Sequence, residues 1–135
     1  MASYNKFQSF VEAIAEKKHN LASDVITVAL CSASNAPVAT NAVLADLTTV
    51  STANLDDVTP TVSSSGQSSG TYKLVLADLT MTASGTVGPF RYVVLYNDTA
   101  TNDELICWFD YGSEVTLASG DTFKLDFGTE LFSLA

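Results

Sequence analysis

The sequence predicts a mainly β protein: an antiparallel β-sandwich or jelly-roll-like domain with one N-terminal α-helix packed on it. Two observations carry this. From Asp24 onward, runs of β-branched and aromatic residues recur about every ten residues, separated by Gly-, Ser- and Asn-rich turns. Only residues 5–19 place apolar side chains at helical spacing. The 135 residues suit one domain, 1–135, with residues 1–22 as the helical part and 23–135 as the β part.

Phe7, Phe10, Val11, Ile14 and Ala15 make the apolar stripe of the helix. Ser3 or Asn5 can cap its start, and Lys17, Lys18 and His19 are expected in the last turn, where the helix dipole favours cations. Asn20 is the expected left-handed residue after it. Glu12 and Glu16 share the polar face with the lysines, which disfavours a membrane-surface role, so the stripe is expected to pack on the sheet.

Val25–Ala33 is apolar on both faces and reads as a central strand. A loop, Ser32–Asn41, follows. Ala42–Val50 fits either a helical turn or a strand, and Asn54–Asp57 a turn. Val58–Ser63 reads as a strand that Pro60 pushes toward an edge. Ser64–Gly70 reads as a flexible hairpin tip. Strands are then expected at Thr71–Ala77, Leu79–Ala83, Phe90–Tyr96, Glu104–Tyr111 and Asp121–Phe127, with short ones at Glu114–Leu117 and Leu131–Leu134. In Glu104–Tyr111 strict alternation would put Leu105, Cys107, Phe109 and Tyr111 on one face and Trp108 on the other. Trp108 is either core or an exposed hot spot for a partner. The hexapeptide VLADLT occurs at 43–48 and 75–80, but the flanks do not match, so it reads as coincidence and not duplication.

Composition narrows the function. The chain is 47% apolar and 16% charged, with mean hydropathy +0.22 and net charge −9. Surface polarity must come largely from Ser, Thr and Asn, and covering by partners would account for the low charge. Past the helix only Lys73, Arg91 and Lys124 are basic, so no cluster exists to neutralise nucleic-acid phosphates or anionic lipid. No apolar run approaches the ~20 residues that span a bilayer. The N-terminus lacks the basic and apolar regions of a signal peptide, so synthesis in the cytoplasm without export by that route is expected. Cys31 and Cys107, in VALCSA and LICWFD, are expected as buried free thiols, the alternative being a disulfide.

No residue set carries recognisable chemistry. His19 is the single histidine, and no segment supplies a nucleophile elbow for it to serve. One His and two separated Cys fall short of a zinc site. Asn97–Glu104 is rich in oxygen but lacks the spacing and central Gly of an EF-hand. Asp110 and Asp126 could pair as glycosidase carboxylates only beside an aromatic-lined cleft, and Trp108 is the single tryptophan. No glycine-rich phosphate loop is present. The expectation is a protein that is not an enzyme and needs no cofactor or metal.

The segment order is informative beyond composition. A short helix precedes DVITVAL, then VLADLT; later come GPFRYVVLYNDT, LICWFDYGS and GDTFKLDF before a short apolar end. This order resembles the small virion proteins of tailed bacteriophages, most of all the capsid decoration (cement) proteins. The resemblance covers nearly the whole chain and rests on segment order and core patterns. It implies a structural protein of the virion's outer capsid surface, made in the bacterial host cytoplasm. Its partners would be the major capsid protein and itself, as a homotrimer. The alternative it leaves is a head-fibre or tail-fibre component binding a host receptor or glycan. Contacts are expected from loops: Asn35, Pro37 and Val38 in the 32–41 loop, and Ser65, Gln67 and Ser68 in the 64–70 tip. Pro37 and Val38 offer apolar contact at low ordering cost. The tip is small-sided and uncharged, able to add to another sheet. Both could equally be solvated loops.

Overall fold

A computed structural model describes residues 2–135. It is mainly β, with antiparallel sheets and one helix near the N-terminus. The elements are β1 (Tyr4–Lys6), α1 (Ser9–Ala15), β2 (Ile26–Cys31), β3 (Val62–Ser68), β4 (Thr71–Leu76), β5 (Leu79–Thr82), β6 (Val87–Asn97), β7 (Leu105–Leu117), β8 (Thr122–Leu125) and β9 (Phe132–Leu134). The main sheet runs β1-β7-β6-β2; a second runs β3-β4-β9, and β5 and β8 form a two-stranded ribbon.

Contrary to expectation β2 is not a central strand but the outer strand of the main sheet; all six of its residues are buried because that sheet is covered on both faces. Ile26, Val28 and Leu30 of β2 join Val93, Leu95, Ile106 and Cys107 on one side. There they meet Leu74 and Leu76 of β4, Leu79 and Met81 of β5, and Phe10 of α1. Ala29, Cys31, Val94 and Leu105 face the other way, under Phe7, Leu44 and Leu47. The cover on that side is the long connection from β2 to β3. It holds 3-10 turns at Ala33–Asn35 and Leu44–Asp46, and it bonds to the sheet through Leu105 N–H to Ala42 O and Val50 N–H to Leu30 O. Residues 42–50 are therefore one helical turn between two single bridges, Val43–Glu104 and Leu30–Val50. The Asp46 carboxylate fixes the turn by accepting from the N–H groups of Ala42 and Val43. These bonds hold its pKa below the ordinary carboxylate value.

Several expectations need correction. The helix is half the expected length, and Tyr4–Lys6 is instead a strand paired with Phe109, Trp108 and Cys107. Neither Ser3 nor Asn5 caps α1; Gln8 precedes it without a side-chain bond. Lys17, Lys18 and His19 lie beyond its end, and Lys17, not Asn20, takes the left-handed conformation, at φ 64°. Seven residues are too few to hold a helix alone, so α1 exists because Phe10 and Ala13 are buried. The 58–63 strand starts instead at Val62. Glu114–Leu117 is not separate but the end of β7.

The alternation in β7 also breaks. Leu95 pairs with Cys107 and the next residue, Tyr96, with Leu105, so Ile106 is an extra residue in a bulge. Leu105 consequently points to the second cluster while Cys107 and Phe109 point to the main core. Trp108 is half-buried on the second face, its ring 4.6 Å from that of Phe7. It is part of that small core and not a bare hot spot. The two thiols are free, buried and on opposite sides of the sheet. The two VLADLT copies share no structure: one is the 3-10 turn, the other the corner from β4 to β5.

Candidate partner-binding surface

The expected contact residues fall in two places. In the 32–41 loop, Asn35 is exposed and its amide donates to Ser32 Oγ at 3.3 Å. Val38 is 52% exposed, and its N–H donates to Asn41 Oδ1 at 2.8 Å. Pro37 is buried, contrary to expectation. Proline has no N–H to strand in an apolar setting, so it can anchor this loop at little polar cost. It leaves Val38 and Asn35 as the presented side chains.

The 64–70 segment is not a flexible tip. Val62–Ser68 is strand β3, and the turn is only Ser69 and Gly70, with φ of 52° and 83°. Positive φ at both central residues matches the twist of a two-residue hairpin, and Gly at the second meets no steric cost. Ser68 faces Thr71 as the closing pair. Gln67 Oε1 steadies the turn by accepting from Gly70 N–H at 3.1 Å, and Ser65 Oγ lies 2.7 Å from the Tyr72 hydroxyl. So Ser65 and Gln67 rigidify the hairpin from within, while Ser68 is exposed at its end.

β3 is the outer strand of its sheet, hydrogen-bonded only to β4, and the longest strand at any sheet margin here. A two-residue turn closes on a hydrogen-bonded pair, so by alternation Ser68, Gly66 and Ser64 bond to β4. Ser65 and Gln67 then turn backbone N–H and C=O groups outward. Natural edges of this kind are normally blunted by charge, proline or a bulge. β3 has a register irregularity at its start, between Val62 and Ser64, and neither charge nor proline along VSSSGQS. A Cβ at Gly66 would meet no atom within 4 Å, so the strand is open there as well.

Electrostatics outside α1 are one-sided. Lys73 pairs with Glu130 at 3.3 Å, Lys124 with Asp78 at 3.6 Å, and Arg91 with Asp110 at 2.8 Å. Every lysine and arginine beyond residue 18 is thus matched by a carboxylate. The Arg91 pair is two-pronged, Nε to Oδ1 and Nη2 to Oδ2, and these bonds lower the Asp110 pKa. Asp110 is therefore committed to Arg91. Among the described residues, no group of three or more His, Cys, Asp or Glu side chains could hold a metal ion. No helix among them is long and apolar enough to cross a membrane.

One polar cluster escaped the sequence reading. Asn97, fully buried at the end of β6, binds both His19 Nδ1 and Asp24 Oδ2. These residues are far apart in the chain, and only the pairing of β2 with β6, which sets Ile26 against Asn97, brings them together. No local signal could have joined them. No family model matches the chain, and no curated protein or solved structure matches it either.

Proposed function

We propose that the protein decorates the outer surface of a tailed-phage capsid and stabilises it by bridging major capsid protein subunits, as a homotrimer. The observation that supports this best is the bare, uncharged edge of β3. An extended segment of the capsid protein can add to that edge, with the backbone of Ser65 and Gln67 supplying hydrogen bonds. Small side chains let the second strand approach closely. Modest contacts of this kind become firm when several copies engage one lattice. Val38 and Asn35, presented by the anchored 32–41 loop, are a second contact. The acidic surface with its matched cations keeps the protein from competing for packaged DNA.

The second reading, a head-fibre or tail-fibre module binding a host receptor or glycan, draws on a different surface. Tyr111, 54% exposed, lies 5.2 Å from Phe123 beside an apolar pocket of about 170 Å³. Such a pair offers an aromatic platform. The test adds purified protein to capsids that lack it. Saturable binding at the copy number of a lattice site, with raised capsid stability, is the expected result. Gly66→Lys should leave the melting temperature unchanged and weaken that binding at least about tenfold, because a charge is left on a covered edge. Binding confined to tails or host cells overturns the decoration reading in favour of the fibre.

A further inference from the structure

The buried cluster around Asn97 fixes a protonation state. Asn97 Oδ1 accepts from the N–H groups of Thr99, at 3.0 Å, and Ala100, at 3.1 Å. Its Nδ2 must then be the end that reaches Asp24 Oδ2 at 2.7 Å and His19 Nδ1 at 2.9 Å. An amide NH₂ can only donate, so His19 Nδ1 must accept, and the neutral ring carries its proton on Nε2. That Nε2 is buried without a partner, as is Oε2 of Glu104.

We infer that His19 is an acid-operated latch: neutral, it ties the segment after α1 to the β6–β7 loop through Asn97, and protonation at Nδ1 breaks that tie, leaving the bonds of Val25 to Asp98 and Thr99 in place. A proton on Nδ1 would face the Asn97 NH₂, donor against donor. Turning the amide over to present Oδ1 would forfeit the bonds to Thr99 and Ala100 and present NH₂ to their N–H groups. It would also take the donor away from Asp24. One proton therefore costs Asn97 either its bond to His19 or, if the amide turns over, its bonds to Thr99, Ala100 and Asp24.

The groups facing His19 set the balance. Phe10 meets the ring edge-on at 5.2 Å and Tyr72 lines the cavity beside it, so the ring is half-buried. Asp24, before β2, and Glu104, before β7, favour the imidazolium. Lys17 lies along the same cavity as His19; Lys18 and Glu16 line the adjoining one with Asp24 and Glu104. Burial outweighs the two carboxylates, and the His19 pKa lies below its ordinary 6.5. A lowered pKa means that the opened form binds the proton better. The latch is thus fully closed above pH 6.5, weakens as pH falls from there, and levels off below the native pKa.

Amide exchange of the whole protein reads this directly. The protection factors of Thr99 and Ala100 should fall by up to about tenfold per pH unit between 6.5 and the native midpoint. Those of Val93 and Val94, in the core of β6, should stay constant. His19→Asn, whose Oδ1 replaces the acceptor and cannot titrate, should keep the loop protected and abolish the pH dependence. Nitrogen shifts of His19 at pH 7.5 should show the Nε2–H tautomer, a readout that needs no variant. A Nδ1–H tautomer, flat protection of Thr99 and Ala100 down to pH 5, or the same pH dependence in His19→Asn, each overturns the latch.

Discussion

Phe10→Ala tests the packing of α1 most directly. Phe10 is 1% exposed, and its ring meets Phe132 edge-to-face at 5.2 Å and 89°, with His19 on another side at the same distance. The substitution removes a whole ring from a site walled by a helix and two sheets, which cannot collapse freely. The expected cost is about 3–5 kcal/mol, from lost burial plus a residual cavity. A domain of this size has about 5–15 kcal/mol in total, so the variant should fold but marginally. In urea, with a slope of about 1.5 kcal/mol/M, the midpoint should drop by about 2–3 M. The effect should also be local. The bonds from Glu16 N–H to Glu12 O and from Lys18 N–H to Ala13 O, both 2.8 Å, close the C-terminal end of a helix that stands only because it is docked. Their exchange protection should fall further than that of β6. A loss under about 1 kcal/mol with an unchanged slope would refute the reasoning, since Phe10 would then not be held in a rigid core.

Three further outcomes are expected. Burial pushes the Cys31 thiol up to about 11 and the Cys107 thiol well above its ordinary value, so neither should react with iodoacetamide at pH 8 in the native state. Both should be labelled in denaturant without reductant, as mass spectrometry would report. Arg91→Ala should raise the Asp110 titration, followed by carboxyl-carbon NMR, because the guanidinium bonds are the main cause of its lowered pKa. A depressed carboxyl pKa gives stability that is present above the unfolded value near 3.8 and lost as pH falls through the folded one, so the variant should show less of that acid-side loss. Gly88→Ala should cost about 2–3 kcal/mol by thermal melting, since φ is +113° and a Cβ would come within 2.5 Å of Val115 O.

The fold class was legible because its signal is carried by composition within runs. VVLY and LICWF can only be interior strands, and they form the middle of the main sheet. Element ends were less so. The helical stripe ran from Phe7 to Ala15, but Phe7 serves the second cluster and Phe10 the main core, so one periodic pattern covered two destinations. A hairpin turn near Gly70 was legible, but as a seven-residue tip, 64–70, and not as Ser69 and Gly70 alone. The extent of β3 was not, because most of its positions are solvent-facing and polar, leaving no alternation to read. The bulge at Ile106 has no marker of its own, since every residue near it is apolar. In the candidate surface, Val38 was readable as an exposed apolar residue, whereas burial of Pro37 depends on how the 32–41 loop packs.

The bare edge of β3 also constrains symmetry. If two copies met through it, strand against antiparallel strand, each would present the same edge to the other, and a twofold axis would relate them. Such a pair is closed: both edges are consumed, and no third subunit can join by the same contact. A threefold ring needs a heterologous contact, one surface meeting a different one on its neighbour. A homotrimer of this protein must therefore either seat β3 on another edge of the next subunit or leave β3 outside the ring. In the second arrangement three identical open edges face outward at 120° to one another, each free to take a strand from a different subunit of the underlying shell.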